Sequence, residues 1–465
     1  MSDSTPKRPA HFDGRADALI DRVVNLMDPD GDVLLNVSRE EAHRCVREGN
    51  AEAVRGIRGQ FAICEKEGKT IRMARSIGRP MRYFLAKRAE GPALIIAERM
   101  DQILEQLRLE GLADQFHPSY TRMVPAHYLL ELQLVGCPDP NPKLTRFFAP
   151  DRNRLPADIE AIGAIYLERL AEVLDEFLVT IPESEPIGVM FSGGIDSGSV
   201  LVLTDYLLRR RGQSSSRVKA FTLVVDGNPS DIEQSREFLK QLDLEMLLEP
   251  IEVSPSDIRW QEAIESMEDY KPLDVQSATM GYALLREIRN RYPDWKYLID
   301  GDGGDENLKD YPIEDNPELT IRSVLGNRML YQEGWGVDAV KHSLVYSGGQ
   351  SRGHSRTSAP AAQFGFKGLS PYAVPAVIEI AEAVPFVALT DWDHEKLYAL
   401  KGQIVAAGVR AVTGVEMPVF EKRRFQRGAT DSSTFDRLFP SQDQDYRDEF
   451  KRMMEAKIAE SSAQA

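Results

Sequence analysis

The chain has 465 residues, more than one hydrophobic core usually holds, so two domains are expected. Its formal net charge of -16, from 57 basic and 73 acidic residues, argues against a nucleic-acid partner, because a face that neutralises phosphates would show in the total. With 42% apolar and 28% charged residues it has the composition of a soluble enzyme or binding protein, and no stretch reaches the ~18 apolar residues of a membrane span, so no membrane partner is expected.

The three cysteines, Cys45, Cys64 and Cys137, lie far apart in no CxxC pair, which argues against a disulfide framework or a zinc site. The start "MSDSTPKRPAHFDGR" carries no apolar signal-peptide run, so a cytoplasmic location is expected. From Asp32 to about Leu130, short apolar runs alternate with turns; Phe61–Cys64 and Ile71–Ala74 flank Gly68 and predict an antiparallel hairpin. "EGKT" at Glu67–Thr70 looks like the end of a phosphate-binding Walker loop, but Ile63 stands where that loop needs its first glycine, and the segment reads as a turn.

Proline and polar residues interrupt all periodicity over Gly136–Pro156, which predicts a linker and a domain boundary near residue 150. Ala157–Leu178 is apolar at helical spacing and predicts an amphipathic helix. After Pro186 the pattern becomes strand, glycine turn, helix, strand: "IGVMF", "SGGIDS", "GSVLVLTDYLLRRRG", "VKAFTLVV". Apolar strands alternating with helices predict an α/β fold with a parallel sheet covered on both faces. "KYLIDGDGGDE" (Lys296–Glu306) repeats the strand-to-turn character, and the Gly/Ser/Ala-rich Tyr346–Gly365 predicts a long mobile loop.

The turn Ser192-Gly193-Gly194 leads from a strand into a helix that starts near Asp196–Ser197. Glycines permit close backbone approach and positive φ, and a helix start offers unpaired N–H groups to an anion, so this turn suits the phosphates of a nucleotide. Ser192 and Ser197 add hydroxyl donors. Asp196 would repel phosphate unless a divalent cation lay between them, which brings Mg²⁺ into the reading. The sequence holds its own control: Ser347-Gly348-Gly349 has no apolar strand before it and no Asp-Ser after it, and is given no function.

"SGGIDS" resembles the pyrophosphate loop of the ATP pyrophosphatases, and the chain as a whole resembles the asparagine synthetase family. The likeness rests on four motifs in the family's order: "IGVMFSGGIDSGSV", "VKAFTLVVDGNPSDIEQSREFLKQL", "LIDGDGGDENLKDY" and "FEKRRFQRG". It implies a synthetase domain over residues 151–465, in which Ser192, Gly193, Gly194, Asp196 and Ser197 hold ATP phosphates and Asp196 with Asp305 holds Mg²⁺. Met190 and Leu223 would flank adenine, with backbone contact near Gly301. Asp302 matches the family's glutamate beside the reacting carbonyl, and Lys422 the lysine that stabilises negative charge in the transition state.

The resemblance also implies that residues 1–150 form an αββα glutaminase-like domain of the N-terminal-nucleophile type. Family members that hydrolyse glutamine begin with a cysteine; here Ser2 opens a polar segment, so the nucleophile is expected to be lost. Two further departures fall in the synthetase turn. The glutamate is shortened to Asp302, and the Phe-Gly-Gly after the acid pair is replaced by "NLKDY".

The implied activity is ATP-dependent, AMP-forming ligation of a carboxylate, small or peptide, to ammonia or an amine. Related expectations are intramolecular amide closure of the β-lactam synthetase or lasso-cyclase type, in which Tyr270 or Tyr282 would assist, and a nucleotide-binding protein without turnover. A homodimer is among the assemblies the resemblance allows.

Overall fold

The computed structural model describes residues 22–88, 91–133, 141–226, 229–310, 313, 320–326, 354–420 and 432–463. Ser2, Cys137, Ser347-Gly348-Gly349 and Lys422 lie outside the described residues.

In the N-terminal region the alternation of apolar residues builds two four-stranded sheets. One carries Arg22–Asn25, Ala93–Ala97, Arg82–Ala86 and Arg122–Met123; the other carries Lys143–Arg146, Tyr128–Gln133, Thr70–Arg75 and Ala62–Glu67. Successive side chains of a strand point to opposite faces. Leu94 and Ile96 therefore meet Ile71, Met73, Leu130 and Leu132 between the sheets. Ala93, Ile95 and Ala97 face away, onto Ile103 and Leu107 of the helix Met100–Leu109. On the far side, Ile63, Ala74 and Leu129 pack on Ala42 and Val46 of the helix Arg39–Arg47. The layer order is helix, sheet, sheet, helix, and Tyr446 and Phe450 of the helix Asp443–Ala463 return to cover the first helical layer.

The predicted hairpin is present, with Cys64 opposite Met73 and Gly68 at φ 57° in the turn. The expected linker is only partly irregular. Lys143–Arg146 inside it adds an edge strand to Tyr128–Gln133. Its side chains show no alternation of burial; main-chain pairing and the polar contacts of Lys143 with Glu131 and Arg146 with Tyr128 define it, and these leave no trace in apolar spacing.

The amphipathic helix forms as α1 (Ile159–Thr180), started by Asp158, whose carboxylate accepts the N–H of Glu160 and of Ala161. Next come β1 (Ile187–Met190), α2 (Ile195–Arg210), β2 (Val218–Val225), α3 (Pro229–Gln241) and β3 (Leu248–Val253). They are followed by α4 (Pro272–Arg291), β4 (Tyr297–Ile299), α5 (Gly304–Leu308), β5 (Lys367–Leu369) and α6 (His394–Thr413). The five strands are all parallel, in the order β3-β2-β1-β4-β5, as the continuous apolar strands predict.

β1 is central. From it the chain crosses outward to β2 and β3, then returns to β4 on its other side and moves outward to β5. The order reverses between β1 and β4, and such a switch point leaves a crevice at the carboxyl ends of the strands. The loop after β1 and the turn after β4 flank that crevice. α6 crosses α1 at close range: a β-carbon on Gly163 would lie 2.5 Å from the carbonyl oxygen of Ile404, and one on Gly408 would lie 2.2 Å from that of Gly163. This contact fixes α6 beside the loop.

The long mobile loop expected over Tyr346–Gly365 is corrected for its described part. His354–Ser358 makes one wide helical turn and Ala359–Gln363 a short helix. Tertiary partners order a composition that reads as a loop: the Arg356 guanidinium pairs with Asp274 of α4 at 2.9 Å, and Arg289 Nε donates to Phe364 O at 2.9 Å. No helix among the described residues is long and apolar enough to cross a membrane.

Candidate active site

Ser192–Ser197 turns directly off the end of β1. Gly193 sits at φ 70°, and a β-carbon there would lie 2.9 Å from the Ser235 nitrogen, so glycine serves both the turn and the contact with α3. α2 then begins with Gly194 as its N-cap, which has no side chain to satisfy the first N–H groups of the helix. The Ser192 N–H donates to Ser197 Oγ at 3.3 Å, and the two hydroxyls stand 3.3 Å apart. A half-buried helix start with two hydroxyls and open N–H groups is an anion cradle.

The turn after β4 lies against this cradle. A β-carbon on Gly301 would stand 2.6 Å from the Ser197 nitrogen, and one on Gly304 only 2.2 Å from Asp196 Oδ1. Any other residue at Gly304 would displace the Asp196 carboxylate. Asn307 fixes the turn from behind, its Nδ2 donating to Tyr166 Oη at 3.1 Å and to Tyr372 O at 2.9 Å. Asp196 and Asp305, far apart in sequence, thereby come to share one cation, the Lys401 ammonium of α6.

Lys401 Nζ donates to Asp196 Oδ2 at 2.5 Å and also to Asp305 Oδ1, and it lies 3.4 Å from Asp310. Burial alone would push this ammonium down, but the three carboxylates hold it well above its ordinary value, so it stays charged. The lysine side chain is 4% exposed, against 19% for Asp196 and 37% for Asp305, so the acids form the open side of the cluster.

Asp302 sits at the neighbouring corner. Thr357 Oγ1 donates to Asp302 Oδ2 at 2.5 Å, and the Asp302 N–H donates to Asp300 Oδ1 at 2.9 Å. Burial raises Asp302 above the ordinary carboxylate range, against the pull of the Thr357 hydroxyl and the Arg356 charge. Burial and the Asp302 charge push Asp300 well up, although the Ser370 hydroxyl donates to it at 2.9 Å. A carboxyl raised in this way is suited to proton transfer near neutral pH.

The structure thus brings together Ser192, Gly193, Gly194, Asp196, Ser197, Gly301, Asp302 and Asp305 of the residues selected from the sequence. Met190 and Leu223 belong to one apolar cluster, but Leu223 is 1% exposed and sealed in the core, whereas Met190 keeps open surface. The Tyr270 ring packs on Phe450 and the Tyr282 ring on Phe364.

Sequence reasoning missed Lys401, Asp310, Asp300 and Thr357. A signal for Lys401 existed: Leu397, Ile404 and Val405 stand four residues before, three after and four after it, so the lysine lies on the apolar face of its helix. A buried lysine needs carboxylate partners.

Residues 177–364 match the family model described as asparagine synthase. This segment is an asparagine synthase domain. The match contains the β1 loop, the β4 turn and Thr357, while Lys401 and Lys422 lie beyond its end. No curated protein matches the chain. The asparagine synthase family is one of ATP-dependent, amide-forming ligases.

Asp196 and Asp305 have the hard-oxygen chemistry of a divalent-cation site, and one ammonium already bridges them. Among the described residues no group of three or more His, Cys, Asp or Glu is arranged to hold a metal ion unaided. Two acids completed by phosphate oxygens is the way Mg²⁺ is commonly held with nucleotides.

Proposed function

We propose that the protein is an AMP-forming ligase that adenylates a substrate carboxylate with ATP and passes the acyl group to ammonia or an amine. The observation that carries this reading is the convergence of Asp196, at the start of α2, with Asp305 of the β4 turn, beside an open helix N-terminus. A protein that only bound nucleotide would need the cradle but not the second acid or the raised carboxyl of Asp302.

In this reading a substrate carboxylate oxygen attacks the α-phosphorus, the bond to the β-phosphate oxygen breaks, and pyrophosphate leaves. The amine nitrogen then attacks the acyl carbon and AMP departs. The N–H groups at the start of α2 and the Ser192 and Ser197 hydroxyls hold the phosphates, with Met190 toward the adenine. Mg²⁺, held by Asp196 and Asp305, would supply neutralising charge on the pyrophosphate. Asp302 takes the proton that the amine nitrogen loses, and Lys422 is assigned the tetrahedral step by resemblance alone.

Residues 1–150 are read as a glutaminase-like domain without its nucleophile, supported by the helix-sheet-sheet-helix layering of the described part. Free ammonia or a substrate amine is then the nitrogen source. The shortened Asp302, held by the Thr357 hydroxyl, is where this chain departs from the family's pattern, and intramolecular closure is the second reading.

Purified protein with ATP, Mg²⁺, aspartate and either ammonium or glutamine, with AMP, ADP, asparagine and glutamate resolved, tests the proposal. AMP and asparagine with ammonium but not glutamine are expected of the ammonia-dependent ligase. Glutamate release from glutamine would overturn the reading of the first domain. ADP in place of AMP would overturn the adenylation.

A further inference from the structure

The "NLKDY" stretch stands where the resemblance implies glycines after the acid pair, and the fold shows what the change builds. α5 ends at Leu308, and Lys309 takes the left-handed conformation at φ 58°, its N–H donating to Asp305 O. That conformation is strained for a non-glycine residue. Buried contacts hold it, with Lys309 Nζ 3.9 Å from Glu382 and over the Phe386 ring at 5.2 Å. The turn swings the chain back, so that the Asp310 N–H also donates to Asp305 O, at 3.0 Å, and the Asp310 carboxylate faces Lys401 at 3.4 Å.

A divalent cation held by Asp196 and Asp305 would need their carboxylate oxygens as its direct partners. The Lys401 ammonium stands on those same two carboxylates. Two cations on one pair of acids repel, so the ammonium has to move. The α6 backbone has no freedom to retreat, because Gly408 lies against Gly163 of α1. Only the side chain can swing, and Asp310 is an acid already within its reach that stands outside the metal pair.

We propose that Asp310 is a positioning residue for Lys401: it takes over the ammonium when a divalent cation with its phosphates occupies Asp196 and Asp305, and returns it when they leave. The exchange rests on the reading of Asp196 and Asp305 as the acids that face Mg²⁺. It keeps the lysine charge beside the phosphates instead of expelling it, and it involves ion pairs only, with no covalent step.

Mn²⁺ binding to the full chain without nucleotide, followed by electron paramagnetic resonance, tests it in a double-mutant cycle of Asp310→Asn and Lys401→Met. Asp310→Asn is expected to weaken Mn²⁺ about tenfold, Lys401→Met to strengthen it by a similar factor, and Asp310→Asn in the Lys401→Met background to change it little. An equal effect of Asp310→Asn in both backgrounds, or no effect in either, overturns the exchange, because Asp310 then acts independently of the lysine. A crystal structure of the wild-type protein with Mn²⁺ decides the point without the lysine variant. Nζ moved onto Asp310 supports the exchange; Nζ still between Asp196 and Asp305, or turned into solvent, overturns it. Failure of Mn²⁺ to bind any variant, with or without ATP, would instead overturn the metal reading of the acid pair and the exchange with it.

Discussion

Arg75 and Lys401 are both buried cations, one in each half of the molecule, and they are stabilised in opposite ways. Arg75 lies within the N-terminal layers and donates to the carbonyl oxygens of Val124, Ser76 and Arg79. Burial, with the charge of Arg82 nearby, pushes it down to about 9. Lys401 is surrounded by carboxylates and is pushed up. Carbonyl dipoles orient a cation and tie strands and loops together without cancelling its charge; carboxylates cancel the charge and leave a site that another cation can enter. We therefore read the first arrangement as architectural and the second as poised for chemistry.

The largest expected effect that separates the halves is at the acids. Asp196→Ala should lower AMP formation by about 10²–10³-fold while the fold persists by circular dichroism, since a positioned charge partner in a closed site contributes on that scale. A loss under about fivefold would detach the acid pair from the chemistry. Gly304→Ala probes the same cluster through shape. Its β-carbon would meet Asp196 Oδ1 at 2.2 Å, and a displacement near 1 Å costs about 10²-fold. Melting should barely change; an active Gly304→Ala enzyme would break the geometric argument.

In the other half the readout is stability. Arg75→Met leaves three carbonyls without their donor and should destabilise by about 3 kcal/mol, seen in denaturant titration, with turnover per folded molecule unchanged. Loss of turnover in the folded variant would erase the division between the halves. His127 adds a pH signature. Burial and the charges of Arg75 and Arg146 lower its imidazole from 6.5 to about 3. A depressed folded value means that the stability it contributes is present above about 6.5 and lost as pH falls toward 3. His127→Phe should flatten that acid limb. Lys401 contributes nothing there, because a raised ammonium keeps its full stabilisation below lysine's ordinary value and loses it only as pH climbs through the raised one.

The smallest effect is expected at Thr357. Its hydroxyl pulls Asp302 down against burial. Thr357→Val should therefore raise Asp302 further and move the acid limb of the pH–rate profile to higher pH, with about a tenfold loss at neutral pH at most. An unshifted limb would remove Asp302 from the titrating step.

The loop Ser192–Ser197 and the turn Gly301–Glu306 were legible in the sequence because their constraints are local: an apolar strand, glycines at a sharp turn, then a polar helix start. The apolar runs Phe61–Cys64 and Ile71–Ala74 on either side of Gly68 likewise placed a hairpin. The edge strand Lys143–Arg146 and the ordered turn at His354–Ser358 were not legible, since main-chain pairing and the partners Asp274 and Asp302 define them. The sequence by itself determined the parallel sheet and the glycine turn that leads from β1 into α2, because strand and helix periods and glycine conformations are properties of neighbouring residues. Only the tertiary structure decided that Lys401, from a helix packed through Gly163 and Gly408, completes the acid pair and that the left-handed turn at Lys309 aims Asp310 at it. Charge compensation in a buried site is set by distance in space, which spacing along the chain does not encode.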